Sequence, residues 1–197
     1  MISDHTILGT LMIIYCFLHS ALATTAIKKA FTKATGWSQA AYRLVYNLFA
    51  ILSLAGIIIF LIIINSVLLY KPGITGYMIS VFLGISGIMY MAVCIIKYFR
   101  QMSGIWREAQ NKRLEVSGIH RFVRHPLYSA TFLFLIAIAG AFPFLSIVLV
   151  IAIIIVYTLI GIHFEEIKLV HQFGEDYIRY KKDTPMLIPG WKKKVPV

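Results

Sequence analysis

Two short runs hold most of the residues in this chain that could do chemistry. One is Arg124-His125-Pro126, followed by Tyr128; the other is the adjacent pair Glu165-Glu166, about 36 largely apolar residues further on. Proline lacks an N–H and holds φ near −65°, so Pro126 suits the first turn of a helix and puts His125 at or beside its N-cap. The leading N–H groups of such a helix have no intrahelical acceptor. They make a seat for a carboxylate or phosphate, which Arg124 can assist. Headgroup anchoring by Arg124, capping by His125 and an aromatic-belt place for Tyr128 would use the same residues differently.

Neighbouring helix residues point about 100° apart, so Glu165 and Glu166 cannot face each other as a paired acid/base site. At most one looks inward. A carboxylate there can accept hydrogen bonds from ribose hydroxyls or balance a cationic ligand; it can also pair with Arg121, Arg124 or Lys168. Burying a charge near lipid is costly, which favours a functional role for an inward carboxylate. Phe173, Tyr177 and Tyr180 follow at helical spacing and can wall a flat ligand. His19, beside Ser20 inside an apolar run, is a candidate base or a helix–helix hydrogen-bonding group, and His163 is its counterpart further on. The six histidines are scattered and no HExxH run occurs, so no metal site is expected. GxGxxG, P-loop and GxSxG runs are also missing, which leaves a nucleotide-like cofactor only the polar turn, the hairpin and the tail to bind.

The elements that must hold these residues are apolar helices. Of the 197 residues 59% are hydrophobic and 14% charged, with mean hydropathy +0.81, whereas soluble domains carry about 25% charged residues. One all-α integral-membrane domain over residues 1–197 is expected, with spans near 6–26, 44–64, 77–96, 127–142 and 144–163. The last two form a helical hairpin turning at Pro143. A tail over 164–197 reads as an amphipathic helix bent near Gly174. The start, MISDHTILGT, has no basic leader, so an uncleaved first span is expected. Cys16 and Cys94 both fall in apolar runs, which argues against disulfides and structural zinc.

A formal charge of +11 raises the question of nucleic acid, but the basic residues sit in loops between apolar runs. Membrane lipid headgroups are the better partner. Lys28, Lys29, Lys33 and Arg43 occupy the first connection, seven basic residues lie between Lys97 and Arg124, and seven more in the tail. Five crossings put all of these on one side, with the N-terminus outside and the tail and site cytoplasmic.

The ordered motifs resemble the small integral-membrane methyltransferases typified by isoprenylcysteine carboxyl methyltransferase, whose relatives include phospholipid and methanethiol methyltransferases. The matching residues are Gly118, His120, Arg124-His125-Pro126, Tyr128, Glu165-Glu166, Leu169, Phe173-Gly174, Tyr177, Tyr180 and Leu187-Ile188-Pro189. The early runs FLHSALATTAIKK and AYRLVYN look more like the methanethiol methyltransferase and NnrU-like branches. Pro185-Met186 stands where carboxyl methyltransferases carry an arginine, which points away from a prenylcysteine carboxylate as acceptor.

The resemblance implies S-adenosyl-L-methionine as cofactor. It would be held by His120, His125, Tyr128, Glu165 or Glu166, Tyr177, and the backbone of Leu187 and Ile188. His19, Arg124 and His125 are the catalytic candidates for methyl transfer to a small thiol or to a lipophilic thiol, carboxylate or amine. An NADPH-dependent membrane reductase and a non-enzymatic NnrU-like factor are the alternatives.

Overall fold

A computed structural model describes residues 2–102 and 114–190. Arg107, Glu108, Lys112 and Arg113 of the long basic loop, and Lys192, Lys193 and Lys194, lie outside the described residues. In chain order the helices are α1 (Ile2–Ala23), α2 (Thr25–Thr35), α3 (Gln39–Ile63), α4 (Ile74–Met102), α5 (Pro126–Ala141), α6 (Leu145–Phe173) and α7 (Glu175–Asp183), with one 3₁₀ turn at Gly118–Arg121. The fold is all-α. Among the described residues four helices are long and apolar enough to cross a bilayer: Ser3–Ala23, Gln39–Ile63, Ile74–Lys97 and Leu145–Phe173. Large side chains such as Phe17, Ile62, Ile74 and Phe82 are each at least 70% exposed, as expected where acyl chains rather than water cover them. These helices are those of a multi-span membrane protein. The expected span at 127–142 coincides with α5, whose 16 residues reach about 24 Å at 1.5 Å per residue, short of the roughly 30 Å hydrocarbon layer.

The chain forms two compact units, Met1–Lys71 with Pro143–Tyr157, and Pro72–Phe142 with Thr158–Val197. In the first, Leu8, Met12 and Cys16 recur every fourth residue along α1 and bury one stripe against Ile57 of α3, flanked by Val150, Ile153 and Tyr157 of α6. Thr24 ends α1 and caps α2, its hydroxyl accepting from the Ile27 N–H at 3.4 Å. Gly36 closes α2 at φ 73°, a left-handed conformation that glycine adopts without a Cβ penalty. The Ser38 hydroxyl then accepts from Ala41 N–H at 3.1 Å and starts α3. The lysine-bearing connection is therefore itself a helix, and the third helix begins at Gln39, earlier than apolarity alone implies.

At the other end of this unit two extended segments pair. Leu69 N–H donates to Pro143 O, and Leu145 N–H to Val67 O, both at 2.9 Å. The Ser66 hydroxyl accepts from Ser146 N–H at 2.9 Å and lies 3.1 Å from His5 Nε2, so the buried backbone at the start of α6 is satisfied.

In the second unit α4 and α5 approach through small residues. A Cβ on Gly87 would lie 2.9 Å from the Phe134 backbone nitrogen, and one on Gly84 would lie 3.6 Å from Ala137 Cβ. Glycine at these places is what lets apolar helices gain dispersion contact where lipid offers no hydrophobic drive. α6 runs unbroken through Glu165 and Glu166 to Phe173, so the glutamates sit inside a helix rather than in a tail that begins after it. Gly174, at φ 56°, ends it and redirects the chain into α7.

Candidate functional site

Pro126 occupies the first turn of α5 and His125 its N-cap, where no side chain caps the helix. Upstream, Gly118 at φ 59° lets the chain enter the 3₁₀ turn. Hydrogen bonds from the Ser117 hydroxyl and N–H hold the Glu115 carboxyl below its usual range. That turn presents His120, whose Nδ1 lies 3.2 Å from the Arg124 carbonyl. A carbonyl only accepts, so Nδ1 carries the proton in this contact. Burial pushes the His120 pKa below its ordinary value, against the opposing pull of that bond.

Glu166 is the centre of the arrangement. Its Oε1 accepts from Arg124 Nε at 2.8 Å and from His125 Nε2 at 3.2 Å, and its Oε2 lies 2.6 Å from Lys181 Nζ. The Glu166 and Arg124 side chains are 7% and 9% exposed, so this pair is buried, whereas the Lys181 side chain is 48% exposed. Glu165 points elsewhere: its side chain is 47% exposed and its Oε2 lies 3.9 Å from His125 Nδ1. The inward glutamate is Glu166, and it is already fully engaged by protein groups.

Arg124 also reaches the tail. Its Nη1 donates to Lys181 O at 2.9 Å and to Thr184 O at 2.5 Å. Backbone bonds extend the contact: Arg124 N–H to Pro185 O at 2.9 Å and His125 N–H to Met186 O at 3.1 Å. The Ser129 hydroxyl donates to Leu187 O at 2.6 Å, and the Tyr180 hydroxyl to His120 O at 2.7 Å. Residues 180–187 thus lie along the segment 120–129, joined to it on both sides of the helix start. Proline at 185 fits this extended run because it offers a carbonyl and needs no donor.

Tyr177 is 1% exposed, and its hydroxyl finds no hydrogen-bond partner among the described residues. Burial, with the Glu166 charge adding to it, pushes its pKa above the usual phenol range. Tyr128 stands beside His125 with ring centroids 5.8 Å apart. Leu187 is half-buried, while Ile188 is 81% exposed.

Of the candidates named from sequence, His120, Arg124, His125, Tyr128, Glu165, Glu166, Tyr177 and Leu187 gather in this unit. His19 belongs to the first unit, where its ring nitrogens lie 3.0 and 3.3 Å from the Tyr46 hydroxyl and its ring stacks on Tyr15. His163 contacts the ring of Phe164. Lys181 and Ser129 escaped the sequence reading, as did the carbonyl of Thr184 as an acceptor. Nothing local separates Lys181 from Lys182, and carbonyl acceptors leave no mark on residue type.

Comparison with known proteins places the chain in distant, partial relation to methanethiol S-methyltransferases. It is 34% identical over 93 residues to methanethiol S-methyltransferase 1 of Bradyrhizobium diazoefficiens, covering 46% of this chain and 31% of that protein. It is 32% identical over 127 residues to the methanethiol S-methyltransferase of a Pseudomonas species, covering 60% of this chain and 48% of that one. The enzyme of the same name from Crocosphaera subtropica is 32% identical over 84 residues, 42% of this chain and 31% of its own. The chain thus spans about a third to a half of the length of these curated relatives. No protein-family profile matches it, and no solved structure does.

Proposed function

We propose that this chain is an S-adenosylmethionine-dependent methyltransferase of the membrane whose acceptor is a small thiol. The observation that carries the reading is the partial similarity to three methanethiol S-methyltransferases. We take the cluster around Glu166 as its location, and three features there suit a polar, partly cationic ligand. Tyr177 carries a buried hydroxyl that makes no full hydrogen bond among the described residues and faces the Glu166 charge. Glu165 keeps an accessible carboxylate beside His125. The start of α5 has no side-chain cap, and helix N-termini favour carboxylates.

When bound, S-adenosylmethionine supplies a methyl group on a positively charged sulfonium. Glu165 balances positive charge or accepts from ribose hydroxyls, while Tyr128, Tyr177 and the tail backbone near Leu187 exclude water. His120, Ile188 and Glu166 complete the proposed ligand-holding set, Glu166 acting by fixing Arg124 and His125 rather than by touching the ligand. With its Nε2–H donated to Glu166, His125 has a fixed ring orientation and presents Nδ1 toward Glu165. A thiol of pKa about 8.5 arrives partly ionised, so the chain needs no strong base.

In the same reading α5 is a fifth, short crossing. The N-terminus then lies outside, and the basic segments and the site are cytoplasmic.

The test is titration of the purified full chain in detergent with S-adenosylmethionine and its demethylated product, followed by a methyl-uptake screen over small thiols, prenylcysteines and amino-lipids. Binding of both nucleosides with uptake by a small thiol supports the proposal. Binding of NADPH in their place, or of neither by a folded protein, overturns it. Tyr177→Phe adds a discriminating readout: it removes a buried hydroxyl with no full hydrogen bond among the described residues, so the free protein should hold its stability while nucleoside affinity falls.

A further inference from the structure

The lysine-bearing helix α2 has no part in the site just described, and its surroundings are unusual. It is set off from α1 by the extended residue Thr24 and from α3 by left-handed Gly36 and extended Ser38, so it continues neither span. Its 11 residues include none that is buried. At 100° per residue, Ile27, Ala30, Phe31 and Ala34 gather on one side, and Lys29 and Lys33 lie together on another. The protein buries neither side of this helix. Lys29 and Lys33 are exposed, and so in part are Ile27 and Phe31, at 38% and 37%.

The apolar side is extended by aromatic residues at the corner into α3. Phe31 meets the Trp37 ring edge-on at 5.6 Å and the Tyr42 ring at 5.2 Å. Trp37 is 46% exposed, while Tyr42 is buried and its hydroxyl donates to Leu22 O at 2.8 Å, tying the start of α3 to the end of α1. A short basic helix, rimmed by Trp and Tyr at the ends of two membrane-length helices, has the composition of one lying in the headgroup plane.

We infer that α2 is an in-plane anchor whose exposed Ile27, Phe31 and Trp37 enter the acyl boundary and whose Lys28, Lys29 and Lys33 bind the phosphates of anionic phospholipids. Charge complementarity selects the occupant: three ammonium groups within nine residues from Thr25 to Lys33, with no acidic residue on the helix. Each lysine near an anionic surface strengthens attraction about fivefold, and this weakens with salt.

The experiment uses the full chain purified in detergent, with bound lipid counted by native mass spectrometry after addition of phosphatidylglycerol or phosphatidylcholine. The wild type should retain phosphatidylglycerol over phosphatidylcholine, and inorganic phosphate alone should not displace it. The variant K28Q/K29Q/K33Q should lose that preference by about tenfold or more, and K28R/K29R/K33R should keep it. An equal loss of charge in the tail, K192Q/K193Q/K194Q, should matter less. A glutamine variant that binds within twofold of wild type, or a tail variant that loses as much, overturns the inference. So does displacement of the lipid by inorganic phosphate, or a Phe31→Ser variant that only breaks a dimer, since the apolar face would then belong to a second copy.

Discussion

Arg124 and Glu166, 42 residues apart in the chain, meet with Nε 2.8 Å from Oε1, and the same guanidinium bonds the carbonyls of Lys181 and Thr184. One side chain therefore ties the start of α5 to α6 and to the end of α7. A planar fork with five donors can make these bonds together, and an ammonium cannot. Arg124→Ala should leave Glu166 buried beside a reduced set of partners and cost about 3–5 kcal/mol. Arg124→Lys should recover only part of this. Thermal unfolding in detergent and protease sensitivity around residues 180–187 measure both. If Arg124→Ala melts like the wild type, the clasp is not what holds the tail.

The adjacent glutamates should separate cleanly. Glu166→Gln replaces a buried carboxylate that serves Arg124, His125 and Lys181, so stability falls first and ligand binding follows. Glu165→Gln alters an accessible group and should leave the melting temperature within error while weakening S-adenosylmethionine. Lys181→Met should matter little, within about 1 kcal/mol, because that partner is largely solvated. Equal destabilisation by both glutamine variants would contradict the division of roles.

His120 gives the tail contact a pH dependence. Its pKa is lowered in the folded protein, chiefly by burial, so folding favours the neutral ring that donates to Arg124 O. The stabilisation is complete above the unfolded value near 6.5 and is lost progressively as pH falls through the lower folded value. A series of melts from neutral to about pH 5 should show this slope, and His120→Gln, which keeps an N–H donor, should flatten it. Identical slopes would assign the effect to other groups.

Two glycines in membrane-length helices should respond oppositely to alanine. At Gly87 a Cβ would sit 2.9 Å from the Phe134 backbone nitrogen, which cannot rotate away, so α4 and α5 must separate. Overpacking of this kind costs about 1–3 kcal/mol. At Gly56 a Cβ meets nothing within 4 Å, and alanine should stabilise by up to about 1 kcal/mol through helix propensity. Melting temperatures of the two variants, compared at one detergent concentration, check the contrast.

Much of this protein was legible before any coordinates. Long apolar runs require helices in lipid, Pro126 must begin one, the chain must bend near Gly174, and Arg124-His125 and Glu165-Glu166 stood out as polar residues beside apolar runs. These follow from each residue's own conformational limits and from the cost of polar groups in hydrocarbon. Tertiary structure decided what depends on direction and distance. α6 continues past the glutamates, and that fixes which of two residues 100° apart is buried: Glu166, not Glu165. Folding of the tail back along residues 120–129 turned Lys181 into a partner and left Lys182 exposed, a choice that two identical side chains cannot encode locally. Whether a lysine-rich connection is a loop or a helix likewise rested on capping by Thr24 and Gly36, whose effect appears only when the backbone between them closes into turns.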